Sequence, residues 1–174
     1  MAMKYKLHLD FHIDYNLDAG KVPSILTAID LLKISPWPSS PESLDFRTVV
    51  FGHCTRATLF TESEWLDLRG RIGSLPISFV GLPTSDLFMM GRPSGSTGGG
   101  QRLRGTLQVP QMIQKYGLNA AIGINNVGNA FTPHGSCDPL SLASFGVGIY
   151  QAGTKADADV LLVGEMNEYL TNWP

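Results

Sequence analysis

Two cysteines in 174 residues, Cys54 and Cys137, are too few and too far apart for a paired metal-ligand motif, and sequence alone argues for no disulfide between them. Blocks of like charge are also missing. Thirteen basic and fifteen acidic side chains are scattered to a net charge of −2, which leaves no electrostatic footprint for nucleic acid or anionic lipid. No apolar run is long enough to cross a bilayer, and the opening residues lack the uninterrupted apolar core of a signal peptide. Asn-x-Ser/Thr sites are absent too, so a reduced, cytoplasmic protein is the simplest expectation. The Gly-x-Ser-x-Gly elbow of serine hydrolases does not occur. Gly95-Ser-Thr-Gly-Gly-Gly100 lacks the Gly-Lys-Ser/Thr ending of a phosphate-binding loop.

What remains is an ordinary globular composition, 43% hydrophobic and 16% charged, at a length that favours one domain over residues 1–174. Strand-like and helix-like segments alternate along it. Residues 7–13 read as a strand. Val22, Ile25, Leu26, Ile29 and Leu32 then fall at helical spacing, and the prolines of 35–41 end that helix. Residues 48–52 make a second strand, and Thr61-Glu-Ser-Glu64 is a capping box opening a second helix. A third strand over 75–80 leads into 83–90, too short and mixed to assign. A glycine-rich loop over 91–104 precedes a helix at 107–116, a fourth strand at 119–124, a helix at 139–152 and another from Thr154.

Four β/α units at roughly 40-residue spacing make about half of an eight-unit barrel, which typically takes about 250 residues. The fold class expected is therefore α/β, with parallel β/α units forming a partial, TIM-type half barrel. An open parallel sheet with helices on both faces is the alternative.

Two histidines end apolar strands in equivalent places, His12 in the first unit and His53 in the second. Parallel β/α units bring such residues to one rim, where these folds put their chemistry. Each is a candidate metal ligand, and each also reads as a structural hydrogen-bonding group. Asp14, two residues past His12, shares its face if the strand continues, as ligand, partner or proton-handling base; it equally reads as a cap on the following helix. Cys54 would point away from His53 under the same assumption. Asn125, at the end of the fourth strand, is the polar candidate there, whereas Asn129 reads as a turn former.

Those residues sit in a longer pattern. Leu9-Asp-Phe-His12, Gly52-His53-Cys-Thr, Pro76-Ile-Ser-Phe-Val-Gly-Leu-Pro83 with Met90-Gly-Arg92, Arg104-Gly-Thr, and Gly117-Leu-Asn running to Asn126-Val together resemble the amidohydrolase superfamily. The likeness is to its cytosine-deaminase-like branch and fungal relatives, from about residue 7 to about residue 163. It implies that this chain supplies strands five to eight of the barrel. His12 and His53 then correspond to the metal-binding histidines of strands five and six, Asn125 stands where the strand-eight aspartate belongs, and Asp86, Arg92 and Asn126 fall at substrate-binding positions.

The reaction implied is hydrolysis of a carbon–nitrogen bond in a nucleobase-like heterocycle, with zinc or iron activating water. The strand-one His-x-His pair does not occur in this sequence, and Tyr15 stands where the family has a glutamate, with Asp14 beside it. Only two neutral ligands are left. The expectation is thus a fragment or truncated form of a metal-dependent hydrolase, alongside a second one, a metal-free, catalytically inactive binding protein. The partners expected are a small molecule and, because half a barrel has open edges, a second copy or a missing N-terminal half barrel.

Overall fold

The computed structural model describes residues 1–92 and 103–163. The glycine-rich loop expected at 91–104 lies for the most part, 93–102, outside the described residues. Element order is α1 (Ala2–Tyr5), β1 (Leu9–Ile13), α2 (Ser24–Ile34), β2 (Val49–His53), a 3₁₀ turn (Thr55–Leu59), α3 (Glu62–Ile72), β3 (Ile77–Gly81), α4 (Pro83–Met89), α5 (Val109–Tyr116), β4 (Ala120–Ile122), α6 (Pro139–Tyr150) and α7 (Lys155–Val163). All four expected strands form. The fourth is shorter than expected, at three residues, and α1, the 3₁₀ turn and α4 are additions that periodicity did not signal.

The sheet runs β1-β2-β3-β4, every pair parallel. Sequential order matters, because a doubly wound sheet reverses its winding somewhere and so covers both faces. No reversal occurs among these four strands. Side chains alternate accordingly: Val49, Phe51, Ile77, Phe79 and Ala120 are buried in the core. Ile25, Ile29 and Leu32 of α2, Trp65, Leu68 and Ile72 of α3, and Met112, Ile113 and Tyr116 of α5 belong to the same cluster. Phe51 stacks on Phe11 at 5.4 Å, and Trp65 on Tyr116 at 5.4 Å. The opposite face carries Asp10, His12 and Ala121, all exposed, with Val50, Ser78 and Val80 half-buried.

Local chemistry sets the helix starts. Thr61 Oγ1 accepts from Glu64 N while Glu64 Oε2 accepts from Thr61 N at 2.7 Å, the capping box read from sequence. Asp138 caps α6 by accepting from Leu140 N and Ser141 N, and Asp157 accepts from Thr154 N at 2.9 Å. Trp37 closes the other end of the sheet, donating Nε1–H to Arg47 O at 2.9 Å.

Candidate functional site

The strands finish in an uncommon way. Asp14, His53, Cys54 and Asn125 all have positive φ, at 54°, 65°, 45° and 64°. For residues other than glycine that left-handed conformation costs roughly 1–2 kcal/mol each, less for Asn and Asp, whose short side chains hydrogen-bond locally. Such strain gathers where the surroundings over-determine it, typically at functional sites. Here it gathers at the carboxyl ends of β1, β2 and β4.

Its main effect is on His53. By strand alternation its ring would follow Phe51 toward the helices, but the left-handed backbone turns it to meet His12, with ring centroids 5.0 Å apart at 72°. Cys54 lies away from His53 as expected, buried in the core cluster, but left-handed backbone at both residues rather than the period of two separates them. Gly52, in register with His12, leaves room for the imidazole: a Cβ there would sit 3.4 Å from the His12 ring. His12 stays half exposed, its Nε2 3.8 Å from Asp10 Oδ1, whereas the His53 side chain is only 10% exposed.

His53 is held on two sides. Its Nδ1 lies 2.7 Å from Asp86 Oδ1, and the Tyr15 ring meets it edge-on at 4.6 Å. Asp86 is wholly buried, and its other oxygen accepts from Thr106 Oγ1 at 2.7 Å. Burial pushes the Asp86 carboxyl above its ordinary value, against the opposing pull of the His53 and Thr106 hydrogen bonds. Tyr15 donates its hydroxyl to Ser85 O at 3.2 Å, and burial together with the Asp86 charge pushes its phenol up to about 12. Burial likewise pushes the Cys54 thiol up, which suppresses thiolate chemistry.

The other candidates are engaged by different partners. Asp14 does not stand beside the imidazoles as an extended strand would put it. Its left-handed backbone directs the carboxylate to the start of α2, where Oδ1 accepts from Ser24 N and Oδ2 from Ile25 N, both at 2.8 Å. Its backbone carbonyl accepts from Thr55 Oγ1 at 2.9 Å and from Arg56 N. Asp14 is thus a helix cap.

Asn125 donates Nδ2–H to Ser85 Oγ at 3.2 Å, one residue from Asp86. Asn126 accepts from Asn129 Nδ2 within the following turn, and Arg92 is exposed, its guanidinium 4.8 Å above the Phe88 ring. Asp86 itself, expected to touch substrate, has both oxygens engaged inside the protein and no exposed surface. The site is completed by residues to which sequence reasoning assigned no role, Thr106 and Ser85. The Arg104-Gly-Thr segment was the only signal for the former.

Among the described residues no group of three or more His, Cys, Asp or Glu side chains is arranged to hold a metal ion. Catalytic zinc sites take three protein ligands and structural ones four. Two imidazoles, with Asp14 capping a helix and Asp86 spent on His53 and Thr106, fall short of either count. The described residues do not by themselves fit the metal that the resemblance implies.

A cavity of about 190 Å³ adjoins the rim, lined by Thr84 of α4, by Ile124, Val127 and His134 of the segment after β4, and by Ser141 and Leu142 of α6. No helix of the described residues is long and apolar enough to cross a membrane.

No protein-family model matches the chain, and no curated protein matches it in sequence. Solved structures do. The 5-methylcytosine deaminase from Klebsiella pneumoniae, liganded with 5-fluorocytosine in one crystal structure and with phosphonocytosine in another, superposes on it with a TM-score of 0.71 in each case. The match covers 92% of this chain and 36% of the deaminase, at 16% identity. At that identity the likeness establishes a shared α/β fold, and the chain spans about a third of the length of the structures it matches.

Proposed function

We propose that this chain is one wall of a deaminase-type amidohydrolase barrel, strands five to eight in barrel order, akin to the fungal members of the cytosine-deaminase-like branch. The complete barrel hydrolyses a carbon–nitrogen bond of a nucleobase-like heterocycle: water adds at the ring carbon, the bond to the amino group breaks, and ammonia leaves. One observation carries the reading, the convergence of His12 and His53 at 5.0 Å on the carboxyl ends of adjacent parallel strands. The fold shared with a deaminase supports it.

The part played by this chain's own side chains is to bind and orient. His12 and His53 offer ring nitrogens at the rim, Tyr15 walls the site, and Asn125 offers an amide. The second wall comes from a second copy or from an N-terminal half barrel, since β1 and β4 have no neighbouring strand beyond them among the described residues. A divalent metal, zinc or iron, belongs to the assembled form, with donors beyond those described above. The setting is cytoplasmic.

A second reading, a catalytically inactive protein that binds such heterocycles without metal, is favoured by the amide at Asn125 and by the Asp14 cap. Metal analysis of protein purified without chelator separates the two, combined with ammonia release from cytosine and 5-methylcytosine. Stoichiometric metal that is lost in both His12→Ala and His53→Ala, together with ammonia release, supports the hydrolase. Metal-free protein that binds cytosine and releases no ammonia replaces it with the binding protein.

A further inference from the structure

Asp86 is the most deeply placed acid of the rim, and its surroundings assign it a task other than contact with a ligand. One oxygen faces His53 Nδ1 and the other receives the Thr106 hydroxyl, each at 2.7 Å, and none of the residue is exposed. An ionised carboxylate can only accept hydrogen bonds. A neutral imidazole facing it must therefore carry its proton on Nδ1, which leaves the lone pair on Nε2. Rotation of the ring is opposed by Tyr15 at 4.6 Å and His12 at 5.0 Å, both edge-on. Nothing in this arrangement requires a metal ion to orient the histidine.

We propose that in the metal-free chain Asp86, braced by Thr106, is a positioning residue that locks His53 in its Nδ1–H form and so presents Nε2 at the rim as a hydrogen-bond acceptor for a ring or exocyclic N–H of a neutral nitrogen heterocycle. The choice of ligand class rests on the reading of the rim as a nucleobase-type site. The tautomer does not. The conservative substitution Asp86→Asn makes the point sharply, because an amide can donate to Nδ1 and thereby move the ring proton to Nε2. The acceptor at the rim then becomes a donor.

The test is long-range ¹⁵N–¹H spectroscopy of the histidine rings in the full chain, at neutral pH with chelator present, before and after addition of cytosine. The expected wild-type spectrum has His53 as Nδ1–H, Asp86→Asn converts it to Nε2–H, and cytosine affinity falls by about tenfold, the scale of one lost neutral hydrogen bond. A wild-type ring protonated on Nε2, or a tautomer unchanged by Asp86→Asn, overturns the positioning role. Should Asp86→Asn fail to fold, Thr106→Val and Thr106→Ser decide: Val is expected to mix the two tautomers and Ser to restore one. A spectrum with the expected tautomer in which cytosine moves no ring resonance overturns the heterocycle reading while the positioning role stands.

Discussion

The two ends of one strand contrast sharply in β2. At Val49 and Phe51 the chain obeys alternation, both side chains fully buried in the helix-covered core. Two residues on, at His53, the backbone turns left-handed and the side chain leaves that layer for a polar cluster with Asp86, Tyr15 and His12. The core end is stabilised by apolar area, roughly 25 cal/mol per Å² removed from water. The rim end carries backbone strain and a buried acid, both of which cost free energy and are retained for geometry. A protein built only for stability would have continued the first pattern.

That contrast is broken most forcefully from the core side. Phe51→Ala removes a ring packed against Phe11 and Phe79 and is expected to cost about 3–5 kcal/mol in denaturant unfolding. Asp86→Ala leaves His53 Nδ1 and Thr106 Oγ1 without their partner and is expected to cost about 1–3 kcal/mol, with a changed His53 ring signal. Asp14→Ala, which removes the cap on α2, is expected to cost about 1 kcal/mol and leave the His53 ring signal where it was. A moved His53 signal would return Asp14 to the site.

Acidity sharpens the same comparison with a smaller effect. The folded protein holds the Asp86 proton more tightly than the unfolded chain does, because its carboxyl is raised by burial. Its contribution to stability is therefore present below the ordinary carboxylate value, about 3.9, and is lost as pH rises through the raised folded value. Wild type measured against Asp86→Asn should gain on acidification through that window, as read from paired denaturant curves. A difference independent of pH would contradict the burial argument.

The core end was largely legible in advance. Helical spacing of Ile25, Ile29 and Leu32 and the Thr61–Glu64 box identify α2 and α3 because those signals are local. The rim was legible only in part. His12 and His53 were recognisable as strand-end residues, but the face assigned to Asp14 assumed that extended backbone continues, and its left-handed backbone broke that period. Cys54 does lie away from His53, in the core cluster, with left-handed backbone rather than strand alternation between them. Asp86 and Thr106 are twenty residues apart, and no local pattern announces a hydrogen bond between them. Asp14 illustrates the general lesson: a carboxylate beside a strand-end histidine in sequence is as readily a cap for the next helix.

The convergence of His12 and His53 supports everything claimed for the rim, and a nuclear Overhauser measurement between their ring protons tests it most directly. With centroids 5.0 Å apart and the rings edge-on, a cross-peak between the two imidazoles is expected in the free protein. Cross-peaks from the His53 ring to leucine and isoleucine methyls of the helix layer, with none to His12, would contradict the account.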